Sequence, residues 1–169
     1  MTATDSGAGT GGRHDFDFFH GRWRGRQRKI VNILDRDCTD WVEFDSVTEC
    51  SPVLSGLGNV DLLHVTSLPP TGEPLEGLTV RLYDPAVGVW RVWWASSRNP
   101  GVIDVPVVGR FTDGVGNLYA DEVVGGHLTR VHYHWKPVSE TEAHWEQRFS
   151  YDAGATWTTN WTAHFTREA

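Results

Sequence analysis

Two sets of side chains in the C-terminal third of this chain could do chemistry, and they fall on opposite faces of the same segments. One set is imidazole and carboxylate. His132-Tyr133-His134 places two imidazoles two residues apart, on one side of an extended strand. A neighbouring His144 or Glu146 would complete a metal site or an acid–base pair, since imidazole and carboxylate are ordinary ligands of zinc and related cations. The other set is aromatic. In EAHWEQRFSYDAGATWTTNWTAHFTR, Trp145, Gln147 and Phe149 alternate with polar neighbours, and Trp157, Thr159, Trp161, Ala163 and Phe165 do so after a turn. A period of two marks strands with one buried face. A turn centred near Ala153-Gly154 pairs Phe149 with Trp157, Gln147 with Thr159 and Trp145 with Trp161. Tyr133 and Trp135 from the preceding strand join that face. So many exposed rings would promote aggregation, so the aromatic face is expected to point inward and His132, His134, His144 and Glu146 outward.

Inward rings can fill a core or line a cavity. If they line one, Tyr133, Gln147 and Thr159 are the few polar groups able to orient a guest among Trp135, Trp145, Phe149, Trp157 and Trp161. The outward set has an ordinary explanation in cross-strand His–Glu and Arg–Glu pairs. A basic ladder, Arg22, Arg24, Arg26 and Arg28 with Lys29 nearby, could grip phosphate, but acidic residues such as Glu43 and Asp45 on the next strand would balance it. Asp104, Asp121 and Glu122 lie near strand ends with no spacing diagnostic of acid–base work. No nucleophile elbow, phosphate loop or paired zinc knuckle occurs.

The elements that must hold these residues are strands. The 169 residues include 18 Gly, 9 Trp and 8 Pro but a single Met, a profile suited to a turn-rich β protein. Strands are predicted near 23–34, 41–53, 60–67, 78–83, 89–96, 107–112, 117–122 and 127–136, followed by the aromatic hairpin. About ten strands with short connections must be antiparallel. An up-and-down barrel closes them without free edges, and its width at ten strands favours a cavity. HDFDFFH at 14–20 is expected to form a short helical plug. Ser150-Tyr151-Asp152-Ala153-Gly154-Ala155-Thr156-Trp157 matches an Asp box, in which Asp152 accepts turn N–H groups; one copy cannot make a propeller, so it marks a hairpin.

Gly21-Arg22-Trp23 opening the first strand, a short segment before it, an antiparallel meander after it and Arg167 near the end together resemble the calycin superfamily of lipocalins, fatty-acid-binding proteins and nitrobindins, and uncharacterised bacterial members of it. The resemblance implies that Trp23 closes one end of the barrel with a cation, here Arg167, on its ring. It also raises haem as a ligand, which would need an inward histidine near the C-terminus. The only late candidate, His164, alternates with Ala163 and Phe165 and so faces outward.

The net charge of −7, from 15 basic and 22 acidic residues, argues against bulk attraction to nucleic acid or anionic membrane. No apolar run reaches the ~20 residues of a membrane span, and the start lacks the apolar core of a secretory signal. Residues 1–12 are expected to be a polar tail and 13–169 one barrel domain, cytoplasmic, with Cys38 and Cys50 as free thiols. The expected function is binding of a small, largely apolar or aromatic molecule with no required cofactor. A His132/His134/His144/Glu146 enzyme and a tryptophan-mediated interaction module are the alternatives, and a homodimer through the barrel wall is compatible with each.

Overall fold

The computed structural model describes residues 12–169. The expected tail lies outside the described residues apart from Gly12, whose carbonyl accepts a 3.2 Å bond from the Trp90 indole. Ten strands follow in order: β1 (Gly21–Ile30), β2 (Trp41–Val53), β3 (Gly58–Leu68), β4 (Glu73–Asp84), β5 (Val89–Ser96), β6 (Val107–Thr112), β7 (Val115–Val124), β8 (His127–Pro137), β9 (Glu142–Ser150) and β10 (Thr158–Arg167). Each pairs antiparallel with its neighbours in sequence, and β1 pairs with β10, so the sheet closes. The short connections impose this: a hairpin such as Asp113-Gly114, with both residues at positive φ, can only return the chain beside itself.

The predicted helical plug is not there. Residues 14–20 contain one 3₁₀ turn, Asp17–Phe19. Three bulky aromatics within these seven residues leave no continuous polar stripe for a longer helix. The rings instead turn into the barrel end: Phe16 and Phe19 are fully buried, and Phe16 meets Trp90 and Phe111 edge-on at 5.0 and 4.9 Å. Trp23 stacks on Phe19 at 5.3 Å and donates its indole N–H to the Phe19 carbonyl at 2.8 Å. The Arg167 guanidinium lies 4.3 Å over the Trp23 ring. It also donates to the carbonyls of His20 and Phe18, both at 2.5 Å, and Glu140 at 3.0 Å. One arginine thereby satisfies two carbonyls of the irregular segment and one in the β8–β9 connection.

The strand phase decides what faces the axis. On β8, Val131, Tyr133 and Trp135 point in; on β9, Ala143, Trp145, Gln147 and Phe149 do. On β10 the expected register fails. Thr158 opposes Phe149 and Thr159 opposes Arg148, but Trp161 opposes Gln147, with Asn160 as an extra residue between. A bulge sets two residues against one and reverses the alternation. Trp161, Ala163 and Phe165 therefore face in, while Trp157 and Thr159 face out, and the Trp145–Trp161 and Gln147–Thr159 pairings are replaced by Trp145–Ala163 and Gln147–Trp161.

Candidate functional site

The barrel is packed at the end closed by Phe16, Phe19 and Trp23 and hollow toward the other. The hollow measures about 590 Å³, inside the ~300–1,000 Å³ of small-molecule sites. Its wall is aromatic and aliphatic, built from Trp94, Tyr133, Trp145, Phe149 and Trp161 with Leu63, Leu75 and Val92. Trp145 and Trp161 meet edge-on at 5.5 Å, as do Tyr133 and Trp145 at 5.1 Å. Trp94 reaches the same wall because Gly77 lies beside it: a Cβ there would sit 2.0 Å from the indole.

Polar groups are few and mostly matched. Gln27 donates to Ser46 at 2.9 Å and accepts the Trp161 indole N–H at 2.8 Å. Gln147 donates to Asn160 at 2.9 Å, which gives the bulge residue its partner. At the floor, Arg81 and Asp61 form an ion pair at 2.5 Å, each 3% exposed, with Asn59 accepting from the same nitrogen at 2.9 Å. The guanidinium sits over the Phe16, Phe19 and Trp135 rings, 5.1–5.4 Å from their centroids.

Toward the mouth the wall carries three further ionisable groups without ion-pair partners among the described residues. Lys29, on β1, extends over Trp161 with Nζ 5.3 Å from the ring and 3.3 Å from the Ile30 carbonyl, and burial lowers its pKa. Asp104, between β5 and β6, and Glu122, on β7, come from the other side. Burial raises both, and for Glu122 the Asp104 charge adds to it. Tyr133, partly buried in the same wall, is also pushed up, chiefly by desolvation. Sequence reasoning named Asp104 and Glu122 without a role and missed Lys29, Arg81 and Asp61 as cavity groups. Parity was the available signal: Asp61 shares its side of β3 with Leu63 and Val65, and Lys29 shares its side of β1 with Trp23 and Gln27.

Of the eight residues predicted to line a cavity, Tyr133, Trp135, Trp145, Gln147, Phe149 and Trp161 border the hollow and Trp157 and Thr159 do not. Trp157 lies on the outer wall, 5.4 Å from the His132 ring and 6.0 Å from Tyr119. His132 is outward yet only 5% exposed. It stacks on Tyr119 at 4.5 Å and donates from Nε2 to Asn117 Oδ1 at 2.8 Å, while His134 donates from Nδ1 to the same oxygen at 3.1 Å. Burial, with Arg148 nearby, depresses the His132 pKa to about 4. Glu146 is held by Arg148 at 2.5 Å, and the His144 and His164 rings meet tilted, with centroids 4.0 Å apart. The residues of the predicted metal cluster thus satisfy other partners, and among the described residues no group of three or more His, Cys, Asp or Glu is placed to hold a metal ion. No histidine borders the hollow, so the residues present do not fit a haem held by an axial imidazole.

The Asp box is structural. Asp152 accepts from the Thr156 hydroxyl at 2.6 Å, the Thr156 amide at 2.8 Å and the Ser150 hydroxyl at 2.7 Å. These bonds hold its pKa at about 2. The basic ladder is balanced, Arg22 by Glu49 and Glu168, Arg24 by Glu168, and Arg26 by Glu43 and Asp45. Cys38 and Cys50 are free thiols, and burial raises Cys50 to about 12.

The fold is thus a closed ten-strand antiparallel barrel with a Trp–Arg seal at one end and a hollow at the other, the architecture that the resemblance to calycins implied. Among solved structures the chain is similar to an S-type phycobiliprotein lyase, CPES, from Guillardia theta, with a TM-score of 0.61, 14% identity, and coverage of 91% of this chain and 90% of that one. No family model matches the chain, and no curated protein does. No helix among the described residues is long and apolar enough to cross a membrane.

Proposed function

We propose that the barrel binds a small, largely apolar or aromatic molecule in its hollow. One observation carries this: the indoles of Trp94, Trp145 and Trp161 border about 590 Å³ of space that no side chain fills. A fully packed core would leave few voids larger than a water molecule. Gln147 and Tyr133 supply polar points for orientation, and the closed end fixes one direction of entry. A phycobiliprotein lyase with the same barrel is consistent with a ligand-handling interior, and at 14% identity its substrate does not transfer.

The test is intrinsic tryptophan fluorescence titrated with a panel of fatty acids, aromatic metabolites and a tetrapyrrole. A saturable change in emission is expected for at least one class. Trp161→Leu should weaken that binding by about tenfold or more, the scale of one lost buried ring contact. Trp157→Leu, on the outer wall, should leave the affinity unchanged. Saturation that responds equally to both substitutions would place the ligand elsewhere, and no saturation with any class would remove the proposal.

A further inference from the structure

Three cationic side chains border the hollow: Arg81, Arg98 and Lys29. Two are already matched. Arg81 is neutralised at the floor by Asp61 at 2.5 Å. Arg98 pairs with Glu73 and donates to Thr71 at 3.1 Å. Lys29 has no acid partner among the described residues. Its ammonium holds one weak bond to its neighbour's carbonyl and the face of Trp161. An ammonium drawn from water into such a wall costs free energy that a paired anion would return.

From this mismatch we infer that the ligand carries one anionic group, of carboxylate type, which pairs with Lys29 near the mouth, its apolar body lying deeper among Trp145, Trp161 and Leu63. The inference rests on the cavity reading above and adds to it the chemical class of the ligand and its direction. The floor is the poorer end for an anion. Its arginine is neutralised, and Asp61 would repel a second carboxylate at short range. The groups opposite Lys29 are Asp104 and Glu122, on the far side of the mouth. Both are unpaired, and burial favours their neutral forms. An anion therefore has one favourable side of the rim. Lys29 also opposes Trp161 in the β1–β10 register, so a ligand ring stacked on that indole lies within a side chain's reach of the ammonium.

The experiment uses matched probes that differ in one charge: naphthylacetate and its methyl ester, dodecanoate and its methyl ester, and naphthylmethylamine as the opposite charge. Dissociation constants are read from tryptophan emission for the natural chain, Lys29→Met and Lys29→Arg, each first checked for an unchanged melting profile. Each carboxylate is expected to bind about tenfold or more tighter than its ester, the usual scale for a charge-assisted bond. Lys29→Met should abolish that preference without weakening the ester, and Lys29→Arg should keep it. Equal affinities for acid and ester, or a preference that survives in Lys29→Met, would overturn the inference while leaving the carrier reading in place. Tighter binding of the amine would overturn it in favour of the Asp104/Glu122 side. Failure of every probe to bind would remove the inference and its basis together.

Discussion

His132 shows how far a wall can change a side chain's chemistry. Buried between Tyr119 and Trp157 and bonded to Asn117, it stays neutral down to about pH 4, against an unperturbed value of 6.5. Unfolding releases an imidazole that binds a proton below pH 6.5. Between those values the unfolded chain holds more protons, so stability is complete above pH 6.5 and falls as pH drops toward 4. The full shift corresponds to roughly 3 kcal/mol at most, and the solvent beside an outer wall reduces it to about 1–2 kcal/mol. His132→Gln keeps a donor for Asn117 and cannot titrate. Its urea midpoint should therefore lose less than the natural chain's between pH 6.5 and 4, by about that amount in free energy. Equal losses would show that His132 titrates normally. The same residue shows what alternation alone conveys. The outward direction of His132, His134, His144 and Glu146 follows from a period of two, but not the burial of His132, because the indole that covers it arrives through a change of phase on another strand.

At the scale of elements, that change of phase is the bulge at Asn160. Strands β2, β5 and β6 are bounded as the sequence indicates, since Pro, Gly and Asp punctuate their ends and apolar residues alternate between. The hairpin register could not be read the same way. A bulge adds a residue without changing composition, and nothing in Thr-Thr-Asn-Trp marks which position is extra. The consequence is large, because parity assigns every later side chain to a face. Deleting Asn160 while the turn keeps its geometry removes only the extra residue: Thr159 stays opposite Arg148 and Trp161 opposite Gln147, so Trp161, Ala163 and Phe165 keep their inward face. What the deletion removes is the Asn160 oxygen that accepts from Gln147 at 2.9 Å, and a buried donor left unpaired costs about 1–3 kcal/mol. The deletion is therefore expected to keep cooperative urea unfolding with the free energy lowered by about 1–3 kcal/mol, and Asn160→Gly, which removes the same acceptor, should lose a similar amount. A deletion variant that loses cooperative unfolding would show that Asn160 is not the extra residue and that β10 changes phase elsewhere.

On the scale of the whole molecule, closure creates both the hollow and the problem of its floor. A ten-strand ring is too wide for its inward side chains to meet everywhere. Packing is completed at one end by Phe16, Phe19, Trp23 and Trp135, and the wall between that plug and the cavity is the Arg81–Asp61 pair. The pair belongs to adjacent strands, and no local pattern in the sequence announces it; only the ring of neighbours brings a guanidinium over three aromatic faces. Its energetics are asymmetric. A buried pair replaced by apolar residues of similar volume is often neutral, whereas removing one partner strands a charge and costs about 3–5 kcal/mol. Arg81→Met alone should therefore lower the urea-unfolding free energy by about that amount, and the Arg81→Met/Asp61→Leu double variant should recover most of the loss. Because the double variant keeps Lys29, Trp145 and Trp161, it should also retain ligand affinity within a few-fold. A double variant that folds but binds nothing would make the floor pair the recognition element and move the anchoring end of the ligand from the mouth to the bottom of the barrel.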